Sequence, residues 1–136
     1  MKTTKLLALA LVFALLFALA ACTPTDPWQS ATYTEDTELG EGATAFVLDV
    51  VVGEHKVAFT INTDETNLGK ALVGSGIVSG EDGPYGLYIK VVNGITADYD
   101  IDASYWSFTV GGEYSNKGVS DISITAGARY ELTYTK

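Results

Sequence analysis

The sequence predicts an α+β fold, a β-grasp-like mixed sheet with one short packed helix, and three observations carry that prediction. Two segments rich in β-branched and aromatic residues, "TAFVLDVVV" and "HKVAFTIN", flank a Gly-Glu pair. A short stretch with helical spacing follows them. Further strand-like segments then run to the C terminus, where "ARYELTYTK" alternates Tyr130, Leu132 and Tyr134 with Glu131, Thr133 and Thr135. That period of two marks a sheet with one buried face and one wet face.

Gly53 supplies the positive φ of a tight turn, so the first two segments form a hairpin. In "TDETNLGKALVGSGIV", Leu68, Ala71 and Leu72 fall at i, i+3 and i+4; Asp64 or Thr66 is placed to cap this helix and Gly74 to stop it. "SGEDGPYG" then reads as a glycine-rich loop, and "LYIKVVNG" as a strand ending in an Asn-Gly turn. "ITADYDIDAS" is polar and irregular with room for a short strand. "YWSFTVGG" reads as a strand entering a turn, and "VSDISI" as a brief edge strand.

The N terminus has a separate logic. Two lysines in "MKTTK" precede the apolar run "LLALALVFALLFALA", which is short for a membrane span and has the layout of a secretory signal. Residues 1–21 are therefore read as a signal peptide. Leu19, Ala20, Ala21 and Cys22 resemble the lipobox of bacterial lipoproteins, whose cysteine is acylated and becomes the new N terminus. Cys22 is the chain's only cysteine, and two acyl chains would anchor stably where one would not. Residues 22–42, with two prolines and a run of acids, read as a flexible acidic tether, and residues 43–136 as the folded domain. The expected location is extracytoplasmic, with a lipid anchor in a bacterial membrane.

Removal of Lys2 and Lys5 leaves six Lys and Arg against 17 Asp and Glu, a net charge of -11. A surface of that sign lacks the clustered cations that nucleic acid requires, and it opposes adhesion to anionic lipid headgroups. Catalytic groups are few. His55 is the only histidine, it opens a strand beside a turn, and Cys22 is consumed by the anchor, so no serine or thiol has an assembled base. No enzyme is expected. Asp98, Asp100 and Asp102 alternate as calcium ligands do, yet the glycine and distal glutamate of a calcium loop are missing. A solvated acidic loop or a weak cation site fits them.

The aromatic residues carry the functional signal. In a strand over "YWSFT", Trp106 and Phe108 share one face, opposite Tyr105, Ser107 and Thr109. Core packing suits Trp106. Tyr85, in the glycine-rich loop, is better placed to meet a flat ligand, because glycine permits close backbone approach and tyrosine offers area with a polar tip.

"YGLYI", the "NG" after it, "YW", "GGE", the glycine of "KGVSD" and the closing "AGARYELTY", in this order and spacing, resemble the C-terminal domain of transcobalamin and intrinsic factor, over roughly residues 44–136. That domain also occurs alone in bacterial surface lipoproteins. The resemblance implies a lid over one face of cobalamin. It brings Tyr85, Gly86 and Leu87, and from the other segment Trp106, Phe108 and Thr109, to the corrin ring. It further implies a small-molecule ligand, cobalamin or another corrinoid, with no cofactor required, and delivery to a membrane transporter. Alternatives are a surface protein-interaction or adhesion module pairing through "VSDISI", and a carbohydrate binder with rings exposed in a row.

Overall fold

In the computed structural model residues 25–136 are described, so the expected signal segment and Cys22 lie outside the described residues. Thr44–Val52 (β2) and His55–Thr63 (β3) form the expected hairpin, with Val52 opposite His55 and Gly53 at φ +59°. Leu68–Gly74 (α1) follows. Asn67, not Asp64 or Thr66, caps it, its Oδ1 accepting the Lys70 N–H at 3.1 Å. The helix ends at Gly74, as expected, and Gly76 takes the left-handed conformation after it.

Tyr105–Val110 (β7), Glu113–Tyr114 (β8) and Arg129–Thr135 (β9) complete the main sheet, and Thr37–Leu39 (β1) lies along its outer edge. The strand order is β1-β3-β2-β9-β7-β8, with β2 and β9 parallel at the centre. This central parallel pair, with β3 (the hairpin partner of β2) on one side and the β7–β8 hairpin on the other, is the β-grasp arrangement the element order predicts. The fold class is α+β.

A second sheet is formed by Val78–Gly83 (β4), Gly86–Val92 (β5) and Ile95–Thr96 (β6), in that order. Here the sequence misled: "SGEDGPYG", expected as a loop, supplies most of β4 and a two-residue turn, because its backbone pairs with β5 from Val78↔Val92 to Gly83↔Gly86. A bulge at Ser79/Gly80 and the solvated Glu81 and Asp82 blunt this edge. A second short helix, Tyr99–Asp102 (α2), follows β6.

One core joins these layers. Phe46, Leu48 and Val50 of β2 and Val57, Phe59 and Ile61 of β3 face inward with Leu68 and Leu72 of α1, Val92 of β5 and Leu132 of β9. Each such side chain contributes about 1.5–3 kcal/mol by leaving water. On the far face of β2, Asp49 is only 2% exposed, held by Arg129 through Nε at 2.6 Å and a second guanidinium nitrogen at 3.2 Å. The same carboxylate raises the Arg129 pKa, chiefly through the hydrogen bond.

The expected tether is largely docked. Pro27–Ser30 form a 3-10 turn whose Trp28 stacks on His55 at 4.7 Å with 4° between the ring planes. Beyond it, the Asn93 side chain accepts the Tyr33 N–H at 2.8 Å and donates to the Tyr33 carbonyl at 2.9 Å. β1 then pairs in parallel with β3. Trp28, stacked on His55, and Tyr33, edge-on to Phe59, secure this strap to the domain.

Candidate functional site

The candidate site is the β4–β5 hairpin and its support. Gly83 and Gly86 pair across a turn made of Pro84 and Tyr85, and proline pre-sets φ for such a turn. Gly86, at φ +97°, packs so closely that an added Cβ would lie 2.6 Å from Ser120 Cβ. Glycine is needed there for conformation and space. Tyr85 has little to cover it and is 92% exposed.

The hairpin is fixed from below. Val119–Asp121 form a 3-10 turn, and Ser120 Oγ accepts the Leu87 N–H at 2.9 Å. Asn67 Nδ2 donates to the Ser120 carbonyl at 2.7 Å, so the residue that caps α1 also holds this turn. Leu68 N–H donates to the Ile122 carbonyl at 2.9 Å, which closes the support.

Two hollows meet at Leu87. One, of about 550 Å³, lies under Tyr85 and is bounded by Pro84, Gly86, Leu87, Tyr88, Lys117 and Asp121. The other, of about 490 Å³, runs between the hairpin and α1 past Val73, Lys70, Asp82 and Ser120. Both fall in the size range of small-molecule sites. They combine apolar surface with one lysine each. A third hollow of about 360 Å³, beside Glu41, Asp64 and Lys70, is polar and carries no ring.

Of the site residues expected from sequence, Tyr85, Gly86 and Leu87 are brought together here. Trp106, Phe108 and Thr109 are not among the residues that bound these hollows. Trp106 is 8% exposed, donates Nε1–H to the Lys90 carbonyl at 3.1 Å and meets Tyr134 edge-on at 5.7 Å. Phe108 stacks against Tyr130 at 6.2 Å, and Thr109 pairs with Glu131 on β9. Trp106 and Phe108 pack on the core, with Trp106 turned toward β5, whereas Thr109 is half-buried on the opposite face of β7. Sequence reasoning missed Tyr88, Lys117 and Asp121 in the groove and Asn67 and Ser120 beneath it. The cap-forming Asn67 beside the helical pattern was the one available signal.

The acidic run is occupied by local structure. Asp98 caps α2 by accepting the Asp100 N–H and lies 3.6 Å from Lys90 Nζ. Asp102 accepts from the Ser104 hydroxyl and N–H and lies 3.7 Å from Lys136 Nζ. The Ser104 hydroxyl is the main cause that lowers the Asp102 pKa. Lys90 is raised, first by its hydrogen bond to Glu81. Among the described residues no group of three or more His, Cys, Asp or Glu is placed to hold a metal ion. "VSDISI" is not an edge strand: it forms the 3-10 turn and a single bridge from Ser123 to Asn67, with Ile122 packed on the core. Among the described residues no helix is long and apolar enough to cross a membrane.

Comparison with known proteins agrees with this architecture. A protein from Ruminococcus gnavus ATCC 29149, named for a suggested metal-binding role, is 33% identical over 69% of this chain and 98% of its own, with a TM-score of 0.64. Haptocorrin, solved in complex with Cbi, shares the fold at a TM-score of 0.51 and 21% identity, matching 68% of this chain but 25% of haptocorrin. No curated protein matches the sequence. Residues 66–136, which include α1, the β4–β5 hairpin and its support, match the model of a domain of unknown function, DUF4430, and the chain belongs to that family.

Proposed function

We propose that this protein is a lipid-anchored extracytoplasmic binding module of the transcobalamin lid type, which captures a flat small ligand of corrinoid class on the β4–β5 hairpin. The observation that carries the reading is Tyr85, an almost fully exposed ring on a hairpin braced from below by Ser120 and flanked by two hollows. Burial of an exposed ring needs a partner of matching area, and a flat macrocycle supplies it. Support comes from the fold shared with haptocorrin, whose structure holds Cbi, and from the lipobox at Cys22. The match covers a quarter of haptocorrin. In this reading the domain covers one face of the ligand and the other face is presented to a transporter.

The test is calorimetric titration of the mature chain with cobalamin and with cobinamide, repeated with Tyr85→Ala. Binding of either corrinoid that the substitution weakens at least tenfold supports the reading. Flat titrations with both overturn it.

The second reading, a protein-interaction module, loses its proposed edge because "VSDISI" is not a strand. Nothing in the hairpin requires a protein partner.

A further inference from the structure

The molecule has two ends, and strand registers define them. Val52↔His55, Val51↔Thr133 and Tyr105↔Thr135 place the β2–β3 turn, the end of β9 and the start of β7 together. Thr44↔Thr63, Val47↔Arg129 and Val110↔Tyr130 define the other end, which Asn67 follows within four residues. Nine-residue strands separate these ends by roughly 26 Å. The Tyr85 hairpin, braced through Ser120 and Asn67, belongs to the second end.

The strap docks at the first end, where Trp28 lies on His55. Four peptide units separate Asp26 from Cys22, a span of at most about 14 Å. The same end carries an apolar patch: Ile101 is 82% exposed, Tyr99 58% and Tyr105 41%, with the two tyrosine rings 6.4 Å apart. Beside the patch, Asp98 and Asp102 are each within 4 Å of a lysine, so their charge is partly offset, while Asp100 stays exposed.

We propose that Tyr99, Ile101 and Tyr105 form a membrane-contact face that seats the domain on the lipid surface and directs the Tyr85 hairpin away from it. This rests on the lipid anchor at Cys22 proposed above. Tyrosine favours the interface, where the ring meets acyl chains and the hydroxyl meets water, and an exposed isoleucine adds apolar area. The surrounding acids select zwitterionic over anionic headgroups. Two rings and one aliphatic chain would hold a free protein weakly, but a short anchor raises the local concentration of lipid enough for a weak contact to form.

Hydrogen exchange on the mature chain in phosphatidylcholine vesicles tests this, with acylation at Cys22 checked by mass. Exchange over residues 98–103 should slow by roughly tenfold relative to the lipid-free chain. Residues 111–114, at the opposite end, should be unchanged. Ile101→Asp should abolish the protection while the chain still floats with the vesicles. If the mass shows no acyl groups, the anchor reading fails by itself, and coupling the Cys22 thiol to a maleimide lipid tests the patch independently. Equal exchange with and without lipid on an anchored chain overturns the proposal. So does protection seen in native membranes but absent in protein-free vesicles, which assigns the patch to a membrane protein.

Discussion

Ser120 Oγ accepts the Leu87 N–H at 2.9 Å while the Ser120 carbonyl accepts from Asn67. One residue thus connects the β4–β5 hairpin to the cap of α1. Ser120→Ala removes the hydroxyl and leaves the part-buried Leu87 N–H without that acceptor, at a cost of about 1 kcal/mol. Urea unfolding should report that loss, and the affinity for any ligand of the hairpin should fall with it.

Gly86→Ala should cost more. The new methyl group would meet Ser120 at φ +97°, where a side chain is strained whatever the space. A loss of about 1–3 kcal/mol is expected by the same measurement. Gly86→Ala combined with Ser120→Gly should recover only part of it, because the clash is relieved and the backbone strain is not. Full recovery would show that contact, not conformation, makes glycine necessary.

Trp106 and Tyr85 should separate cleanly. Trp106→Ala removes a buried ring and its hydrogen bond to Lys90, and should destabilise by about 3–5 kcal/mol. Tyr85→Ala, at a position 92% exposed, should stay within about 0.5 kcal/mol of the parent in thermal unfolding while removing ligand binding. A large stability loss in Tyr85→Ala would instead make that ring structural.

The strap depends on Asn93, which is 1% exposed and sits at φ 51°. Asn93→Gly keeps the backbone conformation and deletes both hydrogen bonds to Tyr33. Residues 26–34 should then become susceptible to limited proteolysis, with global stability falling by about 1–3 kcal/mol. Trp28→Ala should release the first turn alone and leave the Tyr33 pairing protected.

Asp102 provides a pH test. Its pKa is lowered in the fold, first by the Ser104 hydroxyl, so it stabilises the fold above the ordinary carboxylate value near pH ~4. That contribution is lost as pH falls through the lower folded value. Asp102→Asn should therefore be less stable than the parent at pH 7, and the difference should close below the carboxylate range. A gap that persists at low pH would assign the effect to packing.

Much of the fold was legible because its signals are local. Gly53 marked the hairpin, the alternation in "ARYELTYTK" marked β9, and Leu68, Ala71 and Leu72 marked α1, each within a few residues of chain. The candidate site was half legible. Tyr85, Gly86 and Leu87 are contiguous, and the glycines around them are a local signature, whereas Tyr88, Lys117, Asp121 and Ser120 reach the same place from separate segments. No window of sequence contains that meeting.

The sequence by itself determined an acidic, sheet-rich α+β chain with one short amphipathic helix and a hairpin at Gly53. Tertiary structure alone decided that "SGEDG" is a strand and "VSDISI" a turn, that the acidic strap docks, and that Phe108 packs on Tyr130 away from the Tyr85 hairpin. The reason is that a period of two says which residues share a face, but only the neighbouring strands and the layer above decide which face is covered.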